Sequence, residues 1–154
     1  MQFDAQNFMN QVFEDANDDK RVICPAGEYM AQIKKVEAKS GAIGKGERIG
    51  EPWASLNIQW DVTDPAVLAL TKRDSVIVFQ SIMLDLTPNG GLDMSEQKNI
   101  TLGQLRTAVG QNRKGQPWQP AQLTGQMAKV RVKHVPGFKN PEELQAEVSG
   151  VVRV

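Results

Sequence analysis

Three basic side chains alternate along one stretch of the chain: Lys129, Arg131 and Lys133. In a β-strand successive side chains point to opposite faces, so this period puts all three on one face, about 6.5–7 Å apart. Phosphates along an extended nucleic-acid strand have a comparable spacing. The pattern therefore predicts a ladder of phosphate contacts. The alternative is a solvated strand whose lysines guard a sheet edge.

Two further segments combine basic and aromatic side chains. Residues 40–52 hold four glycines and end beside Trp53, and residues 111–120 contain a second tryptophan. An indole stacks on any base and contributes about 1–3 kcal/mol per base, so both segments are candidates for loops that close over a single strand. The alternatives are a flexible hairpin tip and partly buried tryptophans. The predicted nucleic-acid site comprises Lys45, Arg48, Trp53, Arg113, Lys114, Trp118, Lys129, Arg131 and Lys133.

Catalytic and metal chemistry has few candidates. Cys24 is the single cysteine and His134 the single histidine, so neither an internal disulfide nor a conventional zinc site is expected. The two residues would have to meet in the fold to act as nucleophile and base. Acidic pairs such as Asp61 and Asp64 lack a neighbouring base or nucleophile. We therefore predict a protein that is not an enzyme and holds no metal or cofactor.

The elements that would position these side chains are mostly strands. Residues 53–62 alternate between apolar and polar side chains, the pattern of a strand with one buried face, which puts Trp60 in the core. Residues 101–110 predict a short helix, with Thr101 as N-cap and Gly110 as the left-handed residue after its end. The other predicted strands are residues 28–38, 74–86, 127–135 and 146–154, with His134 on the apolar side of the fourth strand.

Five strands with one short helix between the third and the fourth predict a mainly β fold. This order is that of a small Greek-key barrel of the OB type, which presents one sheet face and its flanking loops to oligonucleotides.

Composition and charge fit one globular domain preceded by a distinct segment. The chain has 154 residues, of which 40% are hydrophobic and 23% charged, and it has no apolar run long enough for a membrane span. The net charge is zero, yet residues 1–19 contain five acids and no base. We predict an acidic N-terminal arm over residues 1–22 and an OB-like domain over residues 23–154. The N-terminus lacks a signal-peptide pattern, so a cytoplasmic location is expected.

The order of several short motifs resembles a family of small bacteriophage proteins. The motifs are an aGxY start at Gly27 and Tyr29, an L..A.G helix at Leu105, Ala108 and Gly110, and an l.Gk...v.v strand at Leu123, Gly125, Val130 and Val132. Proteins of this family are regarded as OB-fold single-stranded DNA-binding proteins of phage replication and recombination modules. The resemblance implies a phage origin and sequence-tolerant binding to single strands, and it supplies no binding residues.

The resulting expectation is a protein that binds single-stranded DNA in the cytoplasm of an infected cell. Phage or host replication and recombination proteins would be its further partners. The alternative is a non-enzymatic interaction or virion protein that acts through its N-terminal arm and a sheet edge. A homo-oligomer is compatible with both.

Overall fold

The structure, a computed structural model that describes residues 2–153, is mainly β. Its strands are β1 (Gly27–Ala42), β2 (Pro52–Val62), β3 (Val76–Met83), β4 (Met127–Pro136) and β5 (Leu144–Val152). They form one sheet closed into a barrel in the order β1-β2-β3-β5-β4, with β4 paired back to β1. The predicted five-stranded barrel is confirmed. Met1 and Val154, the outermost residues of the predicted arm and domain, lie outside the described residues.

Alternation along each strand fills the interior of the barrel with apolar side chains. In β2, the side chains of Leu56, Ile58, Trp60 and Val62 are all buried. The indole Nε1 of Trp60 donates to Gln80 Oε1 at 2.9 Å. This bond matters because a buried polar group without a partner costs about 1–3 kcal/mol. The prediction that Trp60 lies in the core is confirmed.

β1 is longer than the predicted strand at 28–38, because it pairs with β4 and then continues beside β2 beyond the barrel wall. The register between β1 and β2 shifts between Ile33 and Lys35, which marks a β-bulge. A bulge reverses which side of the sheet each following residue faces. Ile33 before the bulge is buried, whereas Lys35 and Lys39 after it are exposed on the outer side.

The barrel wall is least paired between β3 and β5. These two strands run parallel and share one registered pair, Phe79 with Glu147, whereas β3 pairs with β2 from Val76 to Met83. β3 also ends before the predicted boundary at residue 86. The chain turns there into a segment in which Leu86 and Leu92 form an isolated bridge.

Within residues 2–153, three α-helices and one 3-10 turn accompany the strands. They are α1 (Ala5–Phe8), α2 (Pro65–Thr71), α3 (Ile100–Ala108) and the 3-10 turn at Pro120–Leu123. α3 follows β3 and precedes β4 in the chain, over nearly the residues of the helix predicted at 101–110. The start of α2 is explained by Asp64, whose side chain accepts from the N–H groups of Ala66 and Val67.

The predicted N-cap of α3 is wrong. Asn99, not Thr101, holds that position, in a left-handed conformation and without a side-chain bond to the helix. The Asn99 amide instead accepts from the N–H of Asp85 and donates to the carbonyl of Asp93, which fixes the segment before the helix. Gly110 has a φ of 75°, the left-handed geometry that was predicted.

The N-terminal arm stands apart from the barrel. Every residue from Gln2 to Val22 is exposed. Within the arm, Phe8 lies between Phe3 and Phe13, with ring centroids 5.1 Å and 5.7 Å away. The chain joins the barrel where Arg73 Nη2 donates to the carbonyl of Val22 at 2.8 Å.

None of the helices in the described part of the chain combines the length and the apolar character that crossing a bilayer requires.

Candidate nucleic-acid interface

Three neighbouring strands place their outward side chains in rows across the barrel wall. Because Gln80 points into the barrel, its neighbours along β3 point outward. We call the outward residues of β1, β2 and β3 the three-strand face. Its rows of directly opposite residues are Lys35–Gln59–Phe79, Glu37–Asn57–Ser81, Lys39–Ser55–Met83 and, on two strands only, Gly41–Trp53.

Phe79 is the aromatic centre of the three-strand face. Its side chain is 57% exposed, and Met83, four residues further along the strand on the same face, is 63% exposed. A groove of about 180 Å³ runs beside Phe79 and is lined by Lys35, Glu37 and Lys39 of β1 and by polar side chains of β2 and β3. An exposed ring beside lysines and amides can stack on a base while the cations contact the phosphates.

Trp53 lies at the outer end of the same face and is half-buried. Its indole covers Gly41, since a Cβ added to Gly41 would lie 2.8 Å from the indole Nε1 and 2.9 Å from Cε2. The absence of a side chain at Gly41 thus lets the ring lie against the backbone of β1. Trp53 and Phe79 thus share one face of the sheet, three rows apart, and the Trp53 ring lies toward β1.

Residues 43–51 form the tip of the β1–β2 hairpin and carry the predicted Lys45 and Arg48. Both bases are exposed. The Arg48 Nε donates to Glu51 Oε2 at 2.6 Å. A groove of about 650 Å³, lined by Arg48 and Trp53 among others, leads from this tip toward the three-strand face. The structure therefore brings Lys45, Arg48 and Trp53 to one side of the barrel.

The predicted ladder lies on the outer side of β4. Lys129 is half-buried, and Arg131 and Lys133 are exposed. The Arg131 Nε donates across the strands to Glu28 Oε1 at 3.0 Å, and Glu147 of β5 lies directly opposite Lys133. The ladder is therefore real as a geometric feature, but two of its three bases face a carboxylate.

Glu147 is the point where the ladder and the three-strand face meet. It is registered with Lys133 on β4 and with Phe79 on β3. A row of side chains therefore runs around the barrel from Lys133 through Glu147 and Phe79 to Gln59 and Lys35. The single acid in this row separates the two basic surfaces.

Trp118, in the second predicted loop, is held against α3. The guanidinium carbon of Arg106 lies 4.1 Å from the ring centroid, and the indole Nε1 donates to Gln111 Oε1 at 2.9 Å. The ring is half-buried and packs on the core. One face of this indole is thus taken by a cation–π contact. Arg113 and Lys114 are exposed on the same loop, beside α3 rather than on the three-strand face.

Each of the three ion pairs among residues 2–153 holds a base that could contact a phosphate. The hydrogen bond from Lys35 is the main reason that the pKa of Glu37 is lowered. Both partners of every pair are well exposed, so each pair adds little to stability and is open to exchange with a phosphate. The pairs are Lys35–Glu37, Arg48–Glu51 and Arg131–Glu28.

The ring of His134 contacts the backbone of Cys24. The His134 Nε2 lies 2.8 Å from the backbone oxygen of Cys24, and the buried Sγ lies 3.6 Å from the oxygen of Pro25. Burial, together with the negative charge of Asp64, raises the pKa of the Cys24 thiol, whereas a nucleophilic cysteine needs a lowered pKa. His134 does not share the burial predicted for its side of the strand, because it lies beyond Val132, the last buried residue of β4.

Sequence reasoning missed Lys35, Lys39 and Phe79 as site candidates. The bulge before Lys35 breaks the alternation, so the two lysines do not stand out as a set. The sequence of β3 is apolar at most positions, so its pattern does not assign Phe79 to a side. The one usable signal is Ser81, a polar residue two positions further on.

No protein-family model matches this sequence, and no curated protein matches it with significance. The resemblance to phage single-stranded DNA-binding proteins accordingly stays a prediction.

Proposed function

We propose that this protein binds single-stranded DNA without sequence preference, through the three-strand face. The observation that carries the proposal is the row of Phe79, Gln59 and Lys35 across three strands, in which Phe79 and Lys35 are exposed and Gln59 is half-buried. Trp53, on Gly41, extends this face outward. It combines aromatic rings, which stack on any base, with lysines that neutralise phosphates.

We also propose that the barrel is an OB-fold. Support comes from the closed order β1-β2-β3-β5-β4, from the parallel contact of β3 with β5, and from α3 lying between β3 and β4 in the chain. In such barrels the face around the second and third strands, with its adjoining loops, receives oligonucleotides. The three-strand face occupies the corresponding position.

The binding mechanism has no chemical step. Bases stack on Phe79 and Trp53, and phosphates replace the carboxylate partners of Lys35 and Arg48. Lys45 adds a third cation from the hairpin tip. In this arrangement the ladder on β4 extends the path of the strand past Glu147, instead of forming its centre. Release of counterions from the DNA makes the affinity fall steeply with salt.

The setting follows from the sequence resemblance alone. We place the protein in phage DNA replication or recombination, in the cytoplasm of the infected cell, with replication or recombination proteins as its partners.

Tryptophan fluorescence during titration with an unstructured oligo-dT tests the proposal most directly. In a Trp118→Phe variant, Trp53 is the responsive fluorophore because the remaining Trp60 is fully buried. We expect quenching at low salt that weakens at high salt. Absence of quenching at low salt, together with absence of a gel mobility shift, contradicts the proposal.

A second candidate is the interaction or virion protein that acts through its N-terminal arm. It is favoured by the exposed phenylalanines of the arm, since Phe3 is 74% and Phe13 60% exposed. Deleting residues 1–20 separates the two functions. Single-stranded DNA binding persists in the deleted chain if the three-strand face is the site.

A further inference from the structure

A third groove lies between α3 and the end of β5. It shares no lining residue with the groove beside Phe79, and it shares Asp93 and Lys98 with the groove beside Trp53. Its volume is about 750 Å³. We call it the α3–β5 groove. Its charged lining consists of four bases and one acid, Lys98, Arg106, Arg131, Arg153 and Asp93.

Not all of these charges are equally available. Arg106 is engaged by Trp118, and Arg131 by Glu28. The carboxylate of Asp93 accepts hydrogen bonds from the hydroxyl and the backbone N–H of Ser95, which lower its pKa. Lys98 and Arg153 are exposed and form no ion pair within residues 2–153. These two cations give the groove its accessible positive charge.

The α3–β5 groove also has apolar walls. Met94 is 74% exposed and Ile100 is 49% exposed, while Leu102 beneath them is buried. Exposed apolar surface rimmed by charge is typical of a protein-interaction site. The complementary ligand is a peptide that carries both apolar side chains and acids.

The N-terminal arm has this composition. Phe3, Phe8 and Phe13 form a continuous exposed aromatic strip. Residues 1–19 supply five acids and no base. Nothing in the arm is buried against its own barrel, although the tether keeps it at a high local concentration.

We propose that the arm of one copy binds the α3–β5 groove of a second copy of this chain. The arm leaves the barrel at Ile23 and Cys24, which lie beside Leu144 and Ala146 at the start of β5. The groove lies beside residues 149–153, at the opposite end of the same strand. A contact that joins two different ends of a molecule is heterologous, so it adds copies head to tail, either in a closed ring or in an open row.

Sedimentation velocity of the full chain without DNA tests this association, so its outcome is independent of the proposed DNA-binding function. We expect the wild-type chain to associate increasingly with concentration and less so at high salt. An arm variant with Phe3→Ser, Phe8→Ser and Phe13→Ser is expected to be monomeric. A groove variant with Lys98→Glu and Arg153→Glu is expected to be monomeric as well.

Mixing the two variants provides the decisive measurement. The groove of the arm variant and the arm of the groove variant are intact, so an equimolar mixture is expected to form a 1:1 dimer and nothing larger. A control with Lys34→Glu and Lys139→Glu changes the same charge on exposed lysines outside the groove, and it should associate as the wild type does. A wild-type chain that stays monomeric at every concentration, or a groove variant that matches the control, overturns the proposal.

Discussion

The three-strand face and the β4 ladder are both rows of outward basic side chains, yet they differ in their lateral neighbours. On the ladder, Arg131 and Lys133 face Glu28 and Glu147. On the three-strand face, Lys35 and Phe79 lie at the two ends of one row. Regular spacing along a strand therefore places bases in a row but does not place an aromatic ring beside them. That combination depends on which residues lie opposite each other across the strands.

The most severe test of this difference removes the aromatic centre. Phe79→Ala is expected to weaken oligo-dT binding roughly 5- to 150-fold, which corresponds to the 1–3 kcal/mol of one stacked base. The fold should persist because the side chain is mostly exposed. Fluorescence anisotropy of a labelled oligonucleotide measures the change. Phe3→Ala, which removes an exposed ring from the arm, is the matched control, and equal effects of the two substitutions would refute a special role for the face.

Charge reversal compares the two surfaces directly. Lys35→Glu with Lys39→Glu is expected to reduce affinity about tenfold at low salt and to reduce the magnitude of the slope of log K against log salt by about 1.4, for two lost single-strand phosphate contacts. Lys129→Glu with Lys133→Glu should cost less because the ladder lies at the end of the proposed path. A larger loss of affinity in the Lys129→Glu, Lys133→Glu variant than in the Lys35→Glu, Lys39→Glu variant would identify the ladder as the main binding surface.

A smaller effect is expected from displacing Trp53 without removing it. Gly41→Ala places a Cβ where the indole now lies, so the ring must move. We expect a shifted Trp53 emission in the Trp118→Phe background and a loss of affinity of about threefold, within the range of one partly lost stack. Gly44→Ala is the matched control, since a Cβ there meets nothing within 4 Å. An unshifted spectrum would mean that the ring does not lie on Gly41.

The smallest expected effect comes from freeing a paired base. Glu37→Gln releases Lys35 and should tighten binding about twofold, in keeping with the small energies of exposed pairs, whereas Glu28→Gln releases Arg131 on the ladder and should change affinity less. Because the pKa of Glu37 lies below its ordinary value of 4.5, its carboxylate stays charged at any pH above that value. Acidification therefore neutralises Glu37, and so frees Lys35 from the ion pair, only at a pH below 4.5. Binding measured in isothermal titrations of both variants ranks the two surfaces independently of the lysine substitutions.

The strands of the barrel were predictable where burial imposes a period. The alternation of residues 53–62 gave β2 and the buried Trp60 correctly, and α3 was found within two residues at either end. The bulge before Lys35 was not predictable, because it depends on how β1 is paired with β2. The rows of the three-strand face are set by the register between strands, and the pattern of residues within one strand does not predict which residues of the next strand lie opposite.

Tertiary contacts also decided the surroundings of the predicted tryptophans. The Arg106 that covers Trp118 comes from α3, and the Gly41 beneath Trp53 comes from the preceding strand. Neither partner stands out in the sequence, since an arginine on a helix and a glycine near a turn are common. The sequence left partial burial of Trp53 and Trp118 open, and both are half-buried, but it did not identify the residues that hold them.

The single registered pair between β3 and β5 has a kinetic consequence. A barrel closed on one side by so little pairing can open locally while its other strands stay folded, so amide protons along that line should exchange with solvent sooner than those between β1 and β2. Phe79 belongs to this line. A ligand that contacts both β3 and β5 would hold the two strands together and slow amide exchange on both. Hydrogen–deuterium exchange would then reveal binding to the three-strand face without any substitution or label.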